Sequence, residues 1–470
     1  MALSPNIPEA APPRPPAASR GRGVFMETFG CQMNVLDSEM MVGRLERLGY
    51  RAVGTAEDAD VVLFNTCSVR QHAEDKVWSR LGQLKGWKAS RPGRVLGIVG
   101  CMAQREKGHI FERAPHVDVV CGPAEIGDID RFVRSAEDGA DRVLATNLVR
   151  EVSLEREVSA RPNRFQAYVN VQRGCDRACT FCIVPSVRGR QADRPLADVV
   201  DEVRRLADDG CVEVTLLGQN IDAYGRRSGG GSSLATLLRE VARVPSLLRV
   251  RFVTSHPADM EEDLLRAMGD LPVVSGYLHV PAQSGSDSVL KRMARGYTRA
   301  GYLRQVGLAR RHVPGVEFAS DFIVGFPGET DAEFEATADL LAEVGFQTAY
   351  VFKYSVRDGT HASRAIPDDV PESVKRERNQ ALLAIQERVS LRRHREMIGR
   401  DVEVLVEGAS ARDPRNWTGR TRGNDIVVFP APEPGGADLA GRLAAVRIRD
   451  ATSLTLLGDL ASSLAPVPAP

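Results

Sequence analysis

The sequence predicts an α/β chain of three units: an N-terminal parallel-sheet domain, a central partial or full α/β barrel, and a small C-terminal β-barrel. Three observations predict it. From residue 24 to about 132, short apolar runs that end in a small residue alternate with helix-length stretches. The alternation resumes with at least six units from 165 to about 395, and roughly the last sixty residues break into short strand-like runs. Apolar runs of strand length alternating with amphipathic stretches are the pattern of a parallel sheet covered by helices.

Residues 1–23 are rich in Pro and Ala, carry Arg14, Arg20 and Arg22, and contain no apolar segment of a secretory signal, so a disordered tail is expected. A transit peptide is the rival reading, which the prolines oppose because they break an amphipathic helix.

The first domain is expected over 24–139. Strands are read at 24–28, 61–65, 94–99 and 117–120, with helices near 38–48 and 72–87. In such sheets the carboxyl ends of the strands converge on one crevice. Cys31, Cys67 and Cys101, which follow three of these strands, are therefore expected to meet although 36 and 34 residues separate them. Cys121 ends a fourth strand and Cys211 precedes a later one; both are read as buried thiols, although Cys121 could in principle join the other three. A charged linker is expected over 140–160.

The central unit is expected over 161–395, with strands at 167–172, 212–217, 249–253, 277–280, 316–323 and 349–354 and helices at 196–207, 331–344 and 373–395. Barrels of this kind carry their site at the carboxyl ends of the strands. The residues expected there are Cys175, Gln219, Asn220, Ser255, His256, Gln283, Ser284 and Asp321. Each alone is an ordinary turn former, and their recurrence after successive strands is the stronger signal. Strands at 402–407, 417–422, 426–429, 444–449 and 453–457 give the small barrel expected over 397–463, with 464–470 a tail.

Charge says little about partners, because 62 basic residues balance 62 acidic ones. Residues 401–460 have nine acidic against seven basic side chains, so charge does not mark this segment as an RNA surface. Arg388, Arg392, Arg393, Arg395 and Arg400 just before it form the one dense basic stretch, equally a solvated helix or an RNA-facing surface. Eight cysteines without a secretory signal read as metal ligands or buried groups in a reducing cytoplasm. No run of about 18 apolar residues predicts a membrane span. A monomer is expected.

The chemistry is most legible in Cys175-x3-Cys179-x2-Cys182. Three thiolates on a four-iron cluster leave one iron without a protein ligand, so the spacing points to a centre built to bind something. A zinc site would need a fourth ligand, for which His256 or His279 is the candidate.

This loop resembles the cluster loop of the radical S-adenosylmethionine (SAM) enzymes. Thr28-Phe-Gly-Cys31-Gln-Met-Asn34 with Asp37-Ser-Glu39, Asn65-Thr-Cys67-Ser-Val-Arg70 and Gly100-Cys101-Met-Ala-Gln104 are similar to the N-terminal domain of the methylthiotransferases. Gly218-Gln219-Asn220, Thr254-Ser-His256-Pro257, Pro281-Ala-Gln-Ser-Gly-Ser-Asp287 and Gly325-Phe-Pro-Gly-Glu329-Thr330 continue the likeness, and the last unit resembles a TRAM domain. The resemblance spans residues 24 to about 460. It implies a radical SAM partial (β/α)6 barrel, one [4Fe-4S] cluster on Cys31, Cys67 and Cys101, and a second on Cys175, Cys179 and Cys182. It also implies two SAM per turnover, a low-potential electron donor and a sulfur source.

Gln32-Met33-Asn34 and Ser68-Val69-Arg70 are similar to the branch that inserts a methylthio group at C2 of N6-dimethylallyladenosine at position 37 of tRNA. The other branches act on threonylcarbamoyladenosine or on ribosomal protein S12. SAM contacts are expected from Gln219, Gln283, Ser284 and Asp321, with Arg188 as the partner of the SAM carboxylate. A zinc-bearing RNA-binding protein without catalysis is the alternative of another class.

Overall fold

The computed structural model describes residues 21–68, 71–139, 142–148, 161, 163–227, 231–431 and 438–461. Nearly all of the expected N-terminal tail, the whole 464–470 tail and most of the expected linker lie outside these residues.

The first domain is a six-stranded parallel sheet. Its strands are β1 (Gly23–Phe29), β2 (Arg51–Ala52), β3 (Val61–Thr66), β4 (Val95–Val99), β5 (Val119–Cys121) and β6 (Val143–Ala145), in the order β2-β1-β3-β4-β5-β6. Val61 to Phe64 of central β3 are fully buried because both faces of the sheet are covered. Helices Gln32–Arg47 and Ile129–Glu137 pack on one face, and Gln71–Gln83, Cys101–Glu106 and His109–Arg113 on the other.

Three details depart from the sequence reading. The helix expected at 38–48 begins at Gln32, because Cys31 and Asn34 cap it reciprocally. The helix expected at 72–87 is two, Gln71–Gln83 and Lys85–Ala89. Strand β6 falls inside the stretch read as linker; it is three residues long, and Leu144 is half exposed at the sheet edge, too weak an apolar signal to read.

The barrel strands are β7 (Gln166–Asn170), the short pair β8 (Gln172–Arg173) and β9 (Ala192–Asp193), then β10 (Glu213–Leu217), β11 (Arg249–Val253), β12 (Tyr277–His279), β13 (Glu317–Val324) and β14 (Thr348–Lys353). Parallel sheets β11-β10-β7 and β12-β13-β14 meet through a Val250–Val274 bridge. Among the described residues no pairing joins β14 to β7, so six strands form a partial barrel. Ala167, Val169, Val214 and Leu216 belong to its apolar core, while alternate residues such as Glu213, Arg249 and Arg251 are polar.

The long helix Glu372–Arg395 spans the full height of this barrel. Near its start, Arg378 donates to Glu329 beyond the end of β13. Near its end, Arg393 pairs with Glu317 at the start of β13, and His394 lies 3.4 Å from Asp425 of the third domain. Twenty-four residues of α-helix measure about 36 Å.

The third domain closes as β15 (Asp401–Ala409), β16 (Asn416–Thr421), β17 (Ile426–Pro430), β19 (Leu456–Leu460) and β18 (Leu443–Ala451). Its last strand starts later than the expected 453–457, because Thr452 caps a turn by accepting from the Thr455 N–H at 3.0 Å. The domain sits under the barrel floor. Arg249 donates to Arg420 O at 2.9 Å, and Arg251 to Thr421 O at 3.0 Å and to Asn424 Oδ1 at 2.7 Å. The first domain covers the roof, where Leu217 and Val253 at two strand ends join its apolar core.

Candidate active site

Because β1, β3 and β4 are adjacent, the residues that follow them are neighbours. A buried amide network fixes them. Asn34 Nδ2 donates to Asn65 Oδ1 at 2.9 Å, and Asn65 Nδ2 donates to Asn34 O at 2.8 Å and to Ser38 Oγ at 2.9 Å. Cys31 Sγ lies 3.3 Å from Asn34 Oδ1. The β3 residue two before Cys67 thereby registers the helix that carries Cys31. Gly100, just before Cys101, has φ +88°, and a Cβ there would fall on Asn65 Oδ1. Cys31, Cys67 and Cys101 therefore follow the carboxyl ends of three adjacent strands.

The second thiol set lies on the loop after β8. Gly174 opens it at φ +73°, where a Cβ would strike Gly189 O and Arg190 O. Its N–H donates to Gln219 Oε1. The Arg177 N–H points at Cys175 Sγ at 3.4 Å, and the Cys182 N–H donates to Cys179 O at 3.0 Å. Thr180 pins the loop's far side by donating Oγ1 to Arg292 O at 2.9 Å. Arg295 Nη1 meets Cys179 Sγ at 3.3 Å while its Nη2 donates to Pro281 O at 3.0 Å. All three thiols are half-buried.

The segment after the second set meets the first set across the domain boundary. Cys101 packs against Ile183 and Val187, which follow Cys182. Arg188, one residue on, points Nε at Cys101 Sγ at 3.3 Å and Nη2 at Asp37 Oδ2 at 2.7 Å. Near Cys67 lies the buried Arg357.

Burial pushes the Cys101, Cys175 and Cys182 thiols up, Cys182 to about 12, so each stays protonated unless a cation replaces its proton. Soft thiolate donors in threes, each set beside a buried guanidinium, suit iron–sulfur clusters, whose thiolates bring negative charge. Among the described residues no three His, Cys, Asp or Glu side chains gather closely enough for a single metal ion. His256 and His279, the candidate zinc ligands, face Asp259 at 3.7 Å and Asp321 at 3.5 Å.

Most of the side chains expected at the ligand site already have partners within the chain. Arg188 is not free for a SAM carboxylate: its carboxylate is Asp37, because the helix Val184–Arg188 turns it toward the first domain. Ser284 is fully buried, shares a hydrogen bond with Thr337 Oγ1 at 3.1 Å and accepts from the Ser286 N–H at 3.1 Å. Gln219 holds the Gly174 N–H; Asn220 donates to Asp259 at 2.8 Å, and Ser255 to Asp222 at 2.9 Å. Gln283 and Asp321 lie side by side, the Gln283 N–H donating to Asp321 O at 2.8 Å, and Gln283 Oε1 is buried without a partner among the described residues.

Sequence reasoning missed Arg295, Arg177, Asp259 and Arg357. Arg177 is the one with a local signal, since it lies inside the cysteine loop; its Nε donates to Asp259 Oδ2 at 2.8 Å. Burial opposes charge on Asp259, but bonds from Arg177, Asn220 and Arg226 outweigh it and hold the carboxyl below the usual range.

Comparison with known proteins agrees with this geometry. Residues 23–122 match the family described as Uncharacterized protein family UPF0004, residues 169–341 the Radical SAM superfamily, and residues 395–461 the TRAM domain. The cobalamin-binding radical SAM methyltransferase TsrM from Kitasatospora setae has the same fold over 73% of this chain and 74% of its own, at 14% identity and a TM-score of 0.52. The fold and site define a radical SAM enzyme with an iron–sulfur cluster and SAM as cofactors. The tRNA-2-methylthio-N(6)-dimethylallyladenosine synthase of Rhodopirellula baltica is 43% identical over 94% of this chain and 96% of its own. That of Syntrophotalea carbinolica is 43% identical over 93% and 99%. The chain belongs to the tRNA-2-methylthio-N(6)-dimethylallyladenosine synthase family.

Proposed function

We propose that the protein inserts a methylthio group at C2 of N6-dimethylallyladenosine at position 37 of tRNA, using two [4Fe-4S] clusters held by Cys31, Cys67 and Cys101 and by Cys175, Cys179 and Cys182. The observation that supports this reading is that Cys101 of the first set packs against Ile183 and Val187, which directly follow Cys182 of the second. The bound groups would supply one-electron cleavage of SAM on one side and the sulfur to be transferred on the other, with a low-potential electron donor and a sulfur source as partners.

The chain's own residues bind, orient and exclude water. The first domain caps the barrel roof, so a base reacting there would be shielded from bulk water. Gln283 Oε1, a buried acceptor without a partner among the described residues, and half-buried Asp321 are the best-placed candidates for holding SAM. The loop-borne base of an anticodon arm is unstacked enough to be presented to an enzyme. Exposed Arg388, Arg392, Arg395 and Arg400 at the barrel floor, beside the TRAM domain, give the RNA backbone its counter-charge.

Nucleoside profiling tests the substrate. In a strain lacking the endogenous enzyme, this chain should restore 2-methylthio-N6-dimethylallyladenosine, and Cys67→Ala or Cys179→Ala should abolish that. Restoration of a methylthio group on threonylcarbamoyladenosine or on protein S12 instead would replace this substrate with that one.

A further inference from the structure

The structure assigns to Arg188 the role of a positioning residue that sets the electron affinity of the first domain's cluster from the neighbouring domain. This rests on the two-cluster reading above. Arg188 ends a helix of the radical SAM domain, yet both groups it grips belong to the other domain: Cys101 Sγ through Nε and Asp37 Oδ2 through Nη2. Its side chain is 4% exposed and that of Asp37 is 6% exposed. Burying such a pair is costly unless each atom is engaged, and only a planar guanidinium meets two groups at once in a fixed geometry.

The second thiol set repeats the arrangement independently. Arg295, also buried, aims an N–H at Cys179 Sγ at the same 3.3 Å. In each set a guanidinium N–H meets a sulfur, a pattern that packing alone does not require. Hydrogen bonds and positive charge at a ligand sulfur stabilise the reduced, more negative cluster and raise its potential. The two sites differ in one respect that makes the idea testable. Arg188 is balanced by a carboxylate, whereas Arg295 bonds to the neutral Pro281 O and Tyr297 hydroxyl.

Removing the guanidinium and removing its carboxylate must therefore act in opposite directions. The experiment uses the full chain carrying Cys175/Cys179/Cys182→Ala, reconstituted anaerobically with iron and sulfide, so that one cluster remains to be titrated by electron paramagnetic resonance. Arg188→Gln should lower the midpoint enough to cut the reduced-to-oxidised ratio at least tenfold at fixed potential, which is ~59 mV for one electron. Asp37→Asn, nearly isosteric, should raise the midpoint, and Arg188→Lys should fall between Arg188→Gln and the parent. If Arg188→Gln does not assemble a cluster, the positive shift of Asp37→Asn decides alone. Midpoints that stay put or move the same way, with the cluster present, overturn the role of Arg188. A parent that holds no cluster overturns the two-cluster reading itself, and this role with it.

Discussion

Cys121 ends β5, one strand beyond Cys101, yet its side chain lies wholly in the apolar layer beneath helices Gln32–Arg47 and Ile129–Glu137. Burial, with Glu125 and Asp128 adding to it, pushes its thiol up, so it stays neutral. Cys121→Ala should leave bound iron unchanged, whereas Cys101→Ala should remove about half; iron and sulfide analysis after reconstitution separates the two. Asp222 gives a pH prediction. Burial raises its carboxyl to about 7, despite bonds from the His256 N–H and the Ser255 hydroxyl. The native state then binds a proton that the unfolded chain has lost between about pH 4 and 7, so stability falls as pH rises through that window, by roughly 3–4 kcal/mol at most. Thermal unfolding of the apoprotein should show this fall, and Asp222→Asn should flatten it. At this scale the thiols were legible because their spacing is local or fixed by strand ends. Arg188 and Arg295 were not, because the sulfurs they meet lie 87 and 116 residues away.

Elements hold the first thiol set through backbone that only glycine tolerates. Gly100 sits at φ +88° and ψ −156° between β4 and the helix that starts at Cys101. A side chain there costs about 1–3 kcal/mol in backbone strain alone, and its Cβ would displace Asn65 Oδ1 from the amide network that seats Cys31. Gly100→Ala should therefore lose the first domain's iron while the radical SAM loop keeps its own. Gly82, in helix Gln71–Gln83 with open space around it, is the control: Gly82→Ala should raise stability by about 0.5–1 kcal/mol without touching iron content. The first domain's strands were readable because burial on both faces of its sheet writes itself into continuous apolar runs. The start of helix Gln32–Arg47 was not, because its cap is a Cys31–Asn34 pair rather than the usual Ser or Asp.

At the scale of the molecule, periodicity announced three domains, but not that the first sits on the barrel roof and the last under its floor. That arrangement depends on polar residues at strand starts, Arg249 and Arg251, whose partners come about 170 residues later. Burial together with Arg251 lowers Arg249 to about 10, and Glu213 and the Arg420 and Thr421 carbonyls compensate it. The thiols and the third domain are thus separated by the barrel height, about 36 Å along helix Glu372–Arg395. An RNA that reaches the thiols with its loop must run down this side with its stem to meet the TRAM domain. Arg388, Arg392 and Arg395 occupy one face of the helix's lower end, at i, i+4 and i+7, and are exposed, whereas Arg393 is held by Glu317. Each phosphate neutralised contributes nearly one unit to the slope of log affinity against log salt. Changing the three arginines to Ala should weaken binding of a complete anticodon stem–loop and flatten its salt slope by about two to three units between 50 and 200 mM. Iron content should not change. A loop oligonucleotide without the stem should bind both proteins with the same slope, because it cannot span from roof to floor; equal loss for both RNAs would place the arginines at the loop instead.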